Sequence, residues 1–361
     1  MRIGIDVRTV RVQRAGIGIY TQLLVEALAT VRQQEDLLLI GAPDTCWDLL
    51  PSGPGIQQQT IPGPSALWHA KAAWLARRTD VYHSPSSFFA PAMLPGRSVL
   101  TVHDLVPFLM PHVSSGKTWW THRAFGFTVR RVGGVIAVSQ STAQDLLRVV
   151  PNLKTPVTTI HEAPRPAFKP EGGPSPYPFD YYLAVGTLEP RKNLPMLLRA
   201  YRQAAQSAPD LPKLVIAGKL GWKNDEFARM VEEPWLRERV HLAGYVPDAE
   251  LLRLFQGAIA FVYPSLYEGF GLPVLEAMAC GTPVITSSCS SLPEIGGEAA
   301  LYVDPTDEAE LSAQLLKVRD PAMRQERSRL GLEQAARFSW EAAARQTLAL
   351  YHEVRARRTD R

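Results

Sequence analysis

Two glutamates eight positions apart, Glu268 and Glu276, bracket the stretch EGFGLPVLE. Carboxylates accept paired hydrogen bonds from hydroxyls. Between them, Gly269 and Gly271 let the backbone come close to a ligand. Pro273 can occupy the first turn of a helix whose free N–H groups then point at that ligand. A diphosphate wants N–H donors and a positive helix end, and sugar hydroxyls want carboxylates, so the spacing suits a sugar nucleotide. Without the glycines and the proline, the same glutamates read as solvated charges.

Other residues carry compatible chemistry. Arg191 and Lys192, in GTLEPRKN, sit at a loop-to-helix junction. Cations there oppose the helix dipole unless an anion joins them, which favours a phosphate held by one forked and one point contact. His103 and Asp104 follow an apolar run at 98–102. Open α/β sheets place their sites at such strand ends, although a His–Asp pair there can also be structural. Gly16 and Gly18 precede a helical stripe of Ile19, Leu23, Leu24, Ala27 and Leu28 and read equally as a phosphate turn or a plain turn. Ser139 reads as a helix cap.

The elements that must position these groups alternate between short apolar strands and amphipathic helices. Strands are expected at 2–7, 37–40, 81–83, 98–102 and 135–138, then at 181–186, 213–218, 240–243 and 258–263. Prolines 164, 166, 170, 174, 176 and 178 crowd one stretch, which cannot be helix or central strand and reads as a linker. The length of 361 residues favours two domains. Three cysteines without a CxxC pair argue for a reducing compartment and against a zinc site. The N-terminus reads as a core strand rather than a signal peptide, and no apolar stretch is long enough to span a bilayer, so a cytoplasmic location is expected. Net charge is +4 but uneven: residues 1–170 hold 17 Lys+Arg against 10 Asp+Glu. That surplus suits an anionic acceptor or an anionic membrane surface, or simply solvated arginines. The stretch 116–131, with Trp119, Trp120, His122, Arg123, Phe125, Phe127, Arg130 and Arg131, fits an interfacial helix or a core-facing one. No basic-aromatic stripe calls for nucleic acid.

EGFGLPVLE resembles the E-x7-E motif of retaining glycosyltransferases with the GT-B fold, in particular family 4. The resemblance extends through SLPEIGGEAALYVDP at 291–305 and back to GTLEPRKN at 186–193. It implies an α/β fold of two Rossmann-like domains facing each other across a cleft. Residues 1–170 would form the acceptor side and 171–335 the nucleotide-sugar donor side, with 336–361 a terminal helix packing back on the first domain. By the same resemblance Glu276 binds the nucleotide ribose, and Glu268 contacts the donor hexose near the reacting carbon. His103 borders the reaction centre near the sugar 6-hydroxyl. A glycine at Gly16 or Gly18 approaches the diphosphate, which Arg191 and Lys192 neutralise. Ser139 belongs to a turn at the cleft, backbone near Tyr245 and Val246 holds the base, and the backbone of Gly269, Phe270, Gly271 and Leu272 holds the donor.

The implied activity is transfer of a hexose from a nucleotide diphosphate sugar to a glycan or lipid-linked acceptor in polysaccharide biosynthesis. Neither a DxD triplet nor a well-placed nucleophile is present in the sequence, which fits metal-independent transfer with retained configuration. HDLVPFLMP and GTLEPRKN resemble branches rich in GDP-mannose-dependent mannosyltransferases, so GDP-mannose is favoured. UDP-sugar donors of the same family are the alternative. A GT-B-fold sugar-nucleotide epimerase and a non-catalytic nucleotide-sugar binder are the further ones.

Overall fold

In a computed structural model of the chain, residues 1–12, 16–111, 119–171, 175–219, 221 and 224–359 are described. Pro174 of the proline-rich stretch and residues 116–118 of the aromatic stretch lie outside them, as do the side chains of Trp119 and Trp120. The chain divides into two compact units.

The first unit holds a seven-stranded parallel sheet. Its strands are β1 (Arg2–Asp6), β2 (Asp36–Gly41), β3 (Ile56–Thr60), β4 (Val81–Ser84), β5 (Ser98–Val102), β6 (Gly134–Ala137) and β7 (Val157–Thr159), in the order 3-2-1-4-5-6-7. The inner strands are short apolar runs with both faces covered, which is why they show no polar alternation. Ser339 and the residues after it belong to this unit. Their helix, Trp340–Thr359, buries Ala344, Thr347 and Tyr351. The Tyr351 hydroxyl lies 2.6 Å from His83 Nδ1, and His83 Nε2 lies 2.7 Å from the Thr101 hydroxyl, so the helix is bonded into the centre of the sheet.

The second unit holds a six-stranded parallel sheet of β8 (Tyr181–Val185), β9 (Lys213–Ala217), β10 (Val240–Gly244), β11 (Ala260–Tyr263), β12 (Val284–Ser287) and β13 (Leu301–Val303). Its order, 10-9-8-11-12-13, has the pattern of a dinucleotide-binding sheet. The chain progresses outward from β8 on one side and from β11 on the other. Ligands of such sheets bind outside the carboxyl ends of the strands at that reversal.

The boundary falls at Glu162/Ala163, earlier than the expected 170. The proline-rich segment is no free linker. Phe168 packs its ring on Phe255 at 5.9 Å, and Gln256 Nε2 donates to the carbonyls of Lys169 and Glu171 at 2.7 and 3.2 Å. Proline excludes regular structure but not packing, so composition does not announce these contacts. The other boundary falls at Phe338/Ser339 rather than at 335/336.

Candidate functional site

The strands flanking the reversal in the second unit deliver one charge cluster. After β8 the chain makes a single 3-10 turn, Pro190–Lys192. Asn193 then turns left-handed (φ 58°, ψ 35°) before helix Leu194–Ser207. Asparagine tolerates that conformation better than most residues. Its Nδ2 donates to the carbonyls of Pro264 and Pro305 at 3.1 and 2.7 Å, which ties the turn to the loop after β11. That loop carries Glu268, 7% exposed. Glu268 Oε1 accepts from Lys192 Nζ at 2.7 Å, and Oε2 accepts from Arg191 Nη1. Arg191 also donates from Nε to Glu189 Oε1 at 2.8 Å and from Nη1 to the Tyr267 carbonyl at 3.1 Å. Lys192 Nζ donates to the Tyr263 hydroxyl.

Burial alone would raise the Glu268 carboxyl, but Arg191 and Lys192 outweigh it and hold the group at about 2. Burial pushes the Lys192 ammonium down, against the pull of Glu268. The anion that the two cations require is thus present in the protein itself. Two cations and the two carboxylates Glu189 and Glu268 leave the cluster near neutrality.

Two serines fix the loop. The Glu268 amide donates to Ser290 Oγ at 3.0 Å, and the Ser291 hydroxyl lies 3.0 and 2.7 Å from the carbonyls of Glu268 and Phe270. Gly271 ends the loop at φ +102°. A Cβ there would come within 2.9 Å of Leu292 Cδ2, so this position needs glycine on two counts. Helix Leu272–Ala279 follows, with Pro273 in its first turn and Glu276 buried at 2% exposure.

Glu276 is held by Arg165. The guanidinium donates from Nε to Oε1 at 2.6 Å and from Nη2 to Oε2 at 2.8 Å, a two-pronged contact. Arg165 Nη1 reaches Asp248 Oδ1 at 2.7 Å, and its Cζ lies 3.9 Å from the centroid of the Phe168 ring. Asp248 begins helix Asp248–Gly257, separated from Tyr245 and Val246 by Pro247. Tyr245 is half exposed beneath Lys219, whose Nζ lies 4.7 Å from the ring centroid, and Val246 is buried.

In the first unit, Gly16 and Gly18 lie within helix Gly16–Val31 rather than in a loop before it. His103 follows β5. Its Nδ1 lies 3.1 Å from Glu162 Oε1 and its Nε2 3.0 Å from the Pro85 carbonyl. Both partners are acceptors, so each bond needs a proton on its own ring nitrogen. The Tyr20 ring meets His103 edge-on at 4.6 Å between centroids. His103 and Asp104 line a cavity of about 180 Å³ with Ser86, Phe88, Phe108 and Phe125 among its walls. Asp104 Oδ1 accepts from the Val106 amide at 3.1 Å, a turn-capping contact. Ser139 is fully buried and caps helix Gln140–Val149 by accepting from the Thr142 amide at 3.0 Å.

The expected residues therefore fall into two sets. Arg191, Lys192, Glu268, Gly269, Phe270, Gly271, Leu272 and Glu276 share the carboxyl ends of β8 and β11 and the helix after β11, with Tyr245 and Val246 following β10. Gly16, Gly18, His103 and Ser139 belong to the first unit. Sequence reading missed Arg165, Glu162, Glu189, Tyr263, Ser290 and Ser291, the side chains that hold the expected ones in place. Among the described residues no group of three or more His, Cys, Asp or Glu side chains is arranged to hold a metal ion, and no helix is long and apolar enough to cross a membrane.

Residues 15–163 match the family described as Glycosyltransferase Family 4, and residues 170–336 match Glycosyl transferases group 1. Over 97% of its length, the chain is 31% identical to the O-antigen chain mannosyltransferase B of Escherichia coli, of which 99% is covered. Over 72% of its length it is 30% identical to the MMP alpha-(1->4)-mannosyltransferase of Mycolicibacterium hassiacum, of which 66% is covered. The sucrose-phosphate synthase of Thermosynechococcus elongatus has the same GT-B fold, with a TM-score of 0.78 at 22% identity over 98% of this chain and 99% of that one. The parallel sheets, the charge cluster at the second sheet's reversal and this end-to-end similarity agree: the chain belongs to glycosyltransferase family 4 and is a hexosyltransferase.

Proposed function

We propose that this glycosyltransferase moves mannose, with retention of configuration, from GDP-mannose to a glycan or lipid-linked acceptor in polysaccharide biosynthesis. The observation that carries the sugar is the similarity, over nearly its whole length, to an O-antigen chain mannosyltransferase. The second unit takes the donor, and the first takes the acceptor. Glu276 receives the ribose hydroxyls. Backbone near Tyr245 and Val246 receives the base, and the backbone of Gly269, Phe270, Gly271 and Leu272 lies along the donor. Arg191 and Lys192 take up the diphosphate.

The bond from the anomeric carbon to the diphosphate oxygen breaks as the acceptor oxygen approaches on the same face. The leaving phosphate oxygen accepts the acceptor's proton, and the acceptor oxygen bonds the anomeric carbon. Charge grows on the diphosphate, and fixed cations that meet it lower the barrier electrostatically. Glu268 lies beside the positive charge that builds on the sugar. His103, fixed by Glu162 and Pro85, faces the sugar near its 6-hydroxyl. The side-chain cations serve in place of a metal.

Peripheral contact with an anionic membrane is part of the same proposal, at the inner face of the membrane of the cytoplasm. It is supported by a cavity of about 470 Å³ in the first unit, lined by Arg130, Arg131, Lys154, Arg357 and Arg358 and by no carboxylate.

A thermal-shift panel of GDP, UDP, ADP and their sugar conjugates, with and without EDTA, tests the donor. A selective, EDTA-insensitive shift with GDP and GDP-mannose is expected. A UDP-selective shift would replace mannose by a UDP-linked sugar, and no shift with any nucleotide would overturn the donor site.

A further inference from the structure

Arg165 lies in the proline-rich segment after β7, outside every motif. It is nevertheless one of the few charged side chains that the fold buries, at 8% exposure. A buried arginine must be fully engaged, because an unpaired charge is costly to take out of water. Here its fork grips Glu276 at 2.6 and 2.8 Å, its third nitrogen reaches Asp248 at 2.7 Å, and Phe168 backs its plane. One guanidinium thus joins the helix that carries Glu276 to the start of the helix that follows Tyr245 and Val246.

We propose that Arg165 is a positioning residue for the nucleoside. It fixes the plane of the Glu276 carboxylate so that this group tells a ribose from a sugar lacking the 2′-hydroxyl. A carboxylate accepts about four hydrogen bonds, and the fork takes one on each oxygen, both in a single plane. A planar donor pair sets both oxygens at once, whereas lysine, a point charge on a flexible stem, sets neither. The inference rests on the reading of Glu276 as the ribose ligand.

Titration calorimetry with the nucleoside diphosphate selected by the thermal-shift panel, and with its 2′-deoxy form, tests it. The wild type is expected to favour the ribose form by tenfold or more. Arg165→Lys keeps the buried charge but loses the fork, and its preference should fall to threefold or less. Arg165→Gln should bring it near one. Asp248→Asn changes a half-exposed residue, leaves the fork to Glu276 in place and should lower the preference by a smaller factor. Because that variant keeps the buried pair, it remains informative if the arginine variants fail to fold. Glu276→Gln tests the underlying reading. If it keeps the wild-type preference, the ribose assignment fails. If it abolishes the preference while folded Arg165→Lys, or Asp248→Asn where the arginine variants do not fold, retains the wild-type ratio, Arg165 is only a structural ion pair and the inference is overturned. A purely structural role would lower both affinities together and leave the ratio unchanged.

Discussion

Replacing Glu268 by glutamine should destabilise the second unit and yet leave it at least as good a binder of nucleoside diphosphate. The change keeps the side chain's shape and removes its charge. In the folded protein the Glu268 carboxyl lies at about 2 rather than 4.5, because the pull of Arg191 and Lys192 exceeds the cost of burial. A difference of about 2.5 units at 1.36 kcal/mol each corresponds to about 3 kcal/mol of stability. That agrees with the usual cost of breaking a buried ion pair. For a unit of this size the melting temperature should fall by roughly 6–12 °C. The variant cluster then holds two cations against Glu189 alone, a surplus of one positive charge at the proposed diphosphate position. Nucleotide at 100 times its Kd contributes about 2.7 kcal/mol, enough to restore most of the loss. Differential scanning calorimetry of both proteins, with and without nucleotide, reads all four states. Turnover should be lost. An unchanged melting temperature in the free variant would refute the electrostatic argument. A smaller nucleotide-induced rise in the variant than in the wild type would refute the placement of the diphosphate at Arg191 and Lys192.

Two further outcomes follow from the first unit. Burial pulls His69 down to about 4, helped by Arg8, and His83 to about 3, helped by His103, so the unfolded chain binds more protons than the folded one as pH drops below 6.5. Burial raises Asp6 to about 6 against Arg8, so it acts in the opposite sense between 6 and 3.8. Two losing groups against one gaining group should lower stability by about 3 kcal/mol between pH 6 and 4; urea midpoints at pH 7, 6, 5 and 4 measure this, and His83→Gln should flatten the slope, while an unaltered slope in that variant would refute the assignment. In co-sedimentation at low salt, the protein should bind anionic phosphatidylglycerol vesicles and not phosphatidylcholine, and Arg130→Glu/Arg357→Glu should abolish binding; equal binding by the double variant would dismiss the basic cavity as the contact.

The fold was readable because parallel strands buried on both faces leave uninterrupted apolar runs, such as YYLAV at β8 and AFVY at β11, punctuated by glycine and proline. The site was readable only in its members. Glu268, Glu276, Arg191 and Lys192 could be named, but the contacts that Glu268 makes with Arg191 and Lys192 and that Glu276 makes with Arg165 span 76 to 111 positions in sequence, and no local spacing announces them. His103 and Glu162 are 59 residues apart. Arg165 was hidden by its context, since six prolines around it signal the absence of regular structure and nothing about what the segment packs against. From sequence the turn at Arg191 and Lys192 points to an outside anion, because dipole arguments count only the cations' own element.

Arg191 and Lys192 do not stand as bare charges in a dry site; Glu268 neutralises them, which spares the donor-free protein an uncompensated buried charge. An incoming diphosphate offers the same two cations more negative charge than one carboxylate does. Glu268 can then exchange partners, giving up its hold on Arg191 and Lys192 to the phosphates. On the proposed placement of the donor, the carboxylate so released carries a full negative charge next to the sugar, where positive charge develops at the anomeric carbon. In that proposal one exchange seats the leaving group against its cations and frees the carboxylate for the transition state. The loop is pinned at its backbone by Ser290 and Ser291, while Arg191 and Lys192 grip the Glu268 side chain through ionic contacts that a stronger anion can replace.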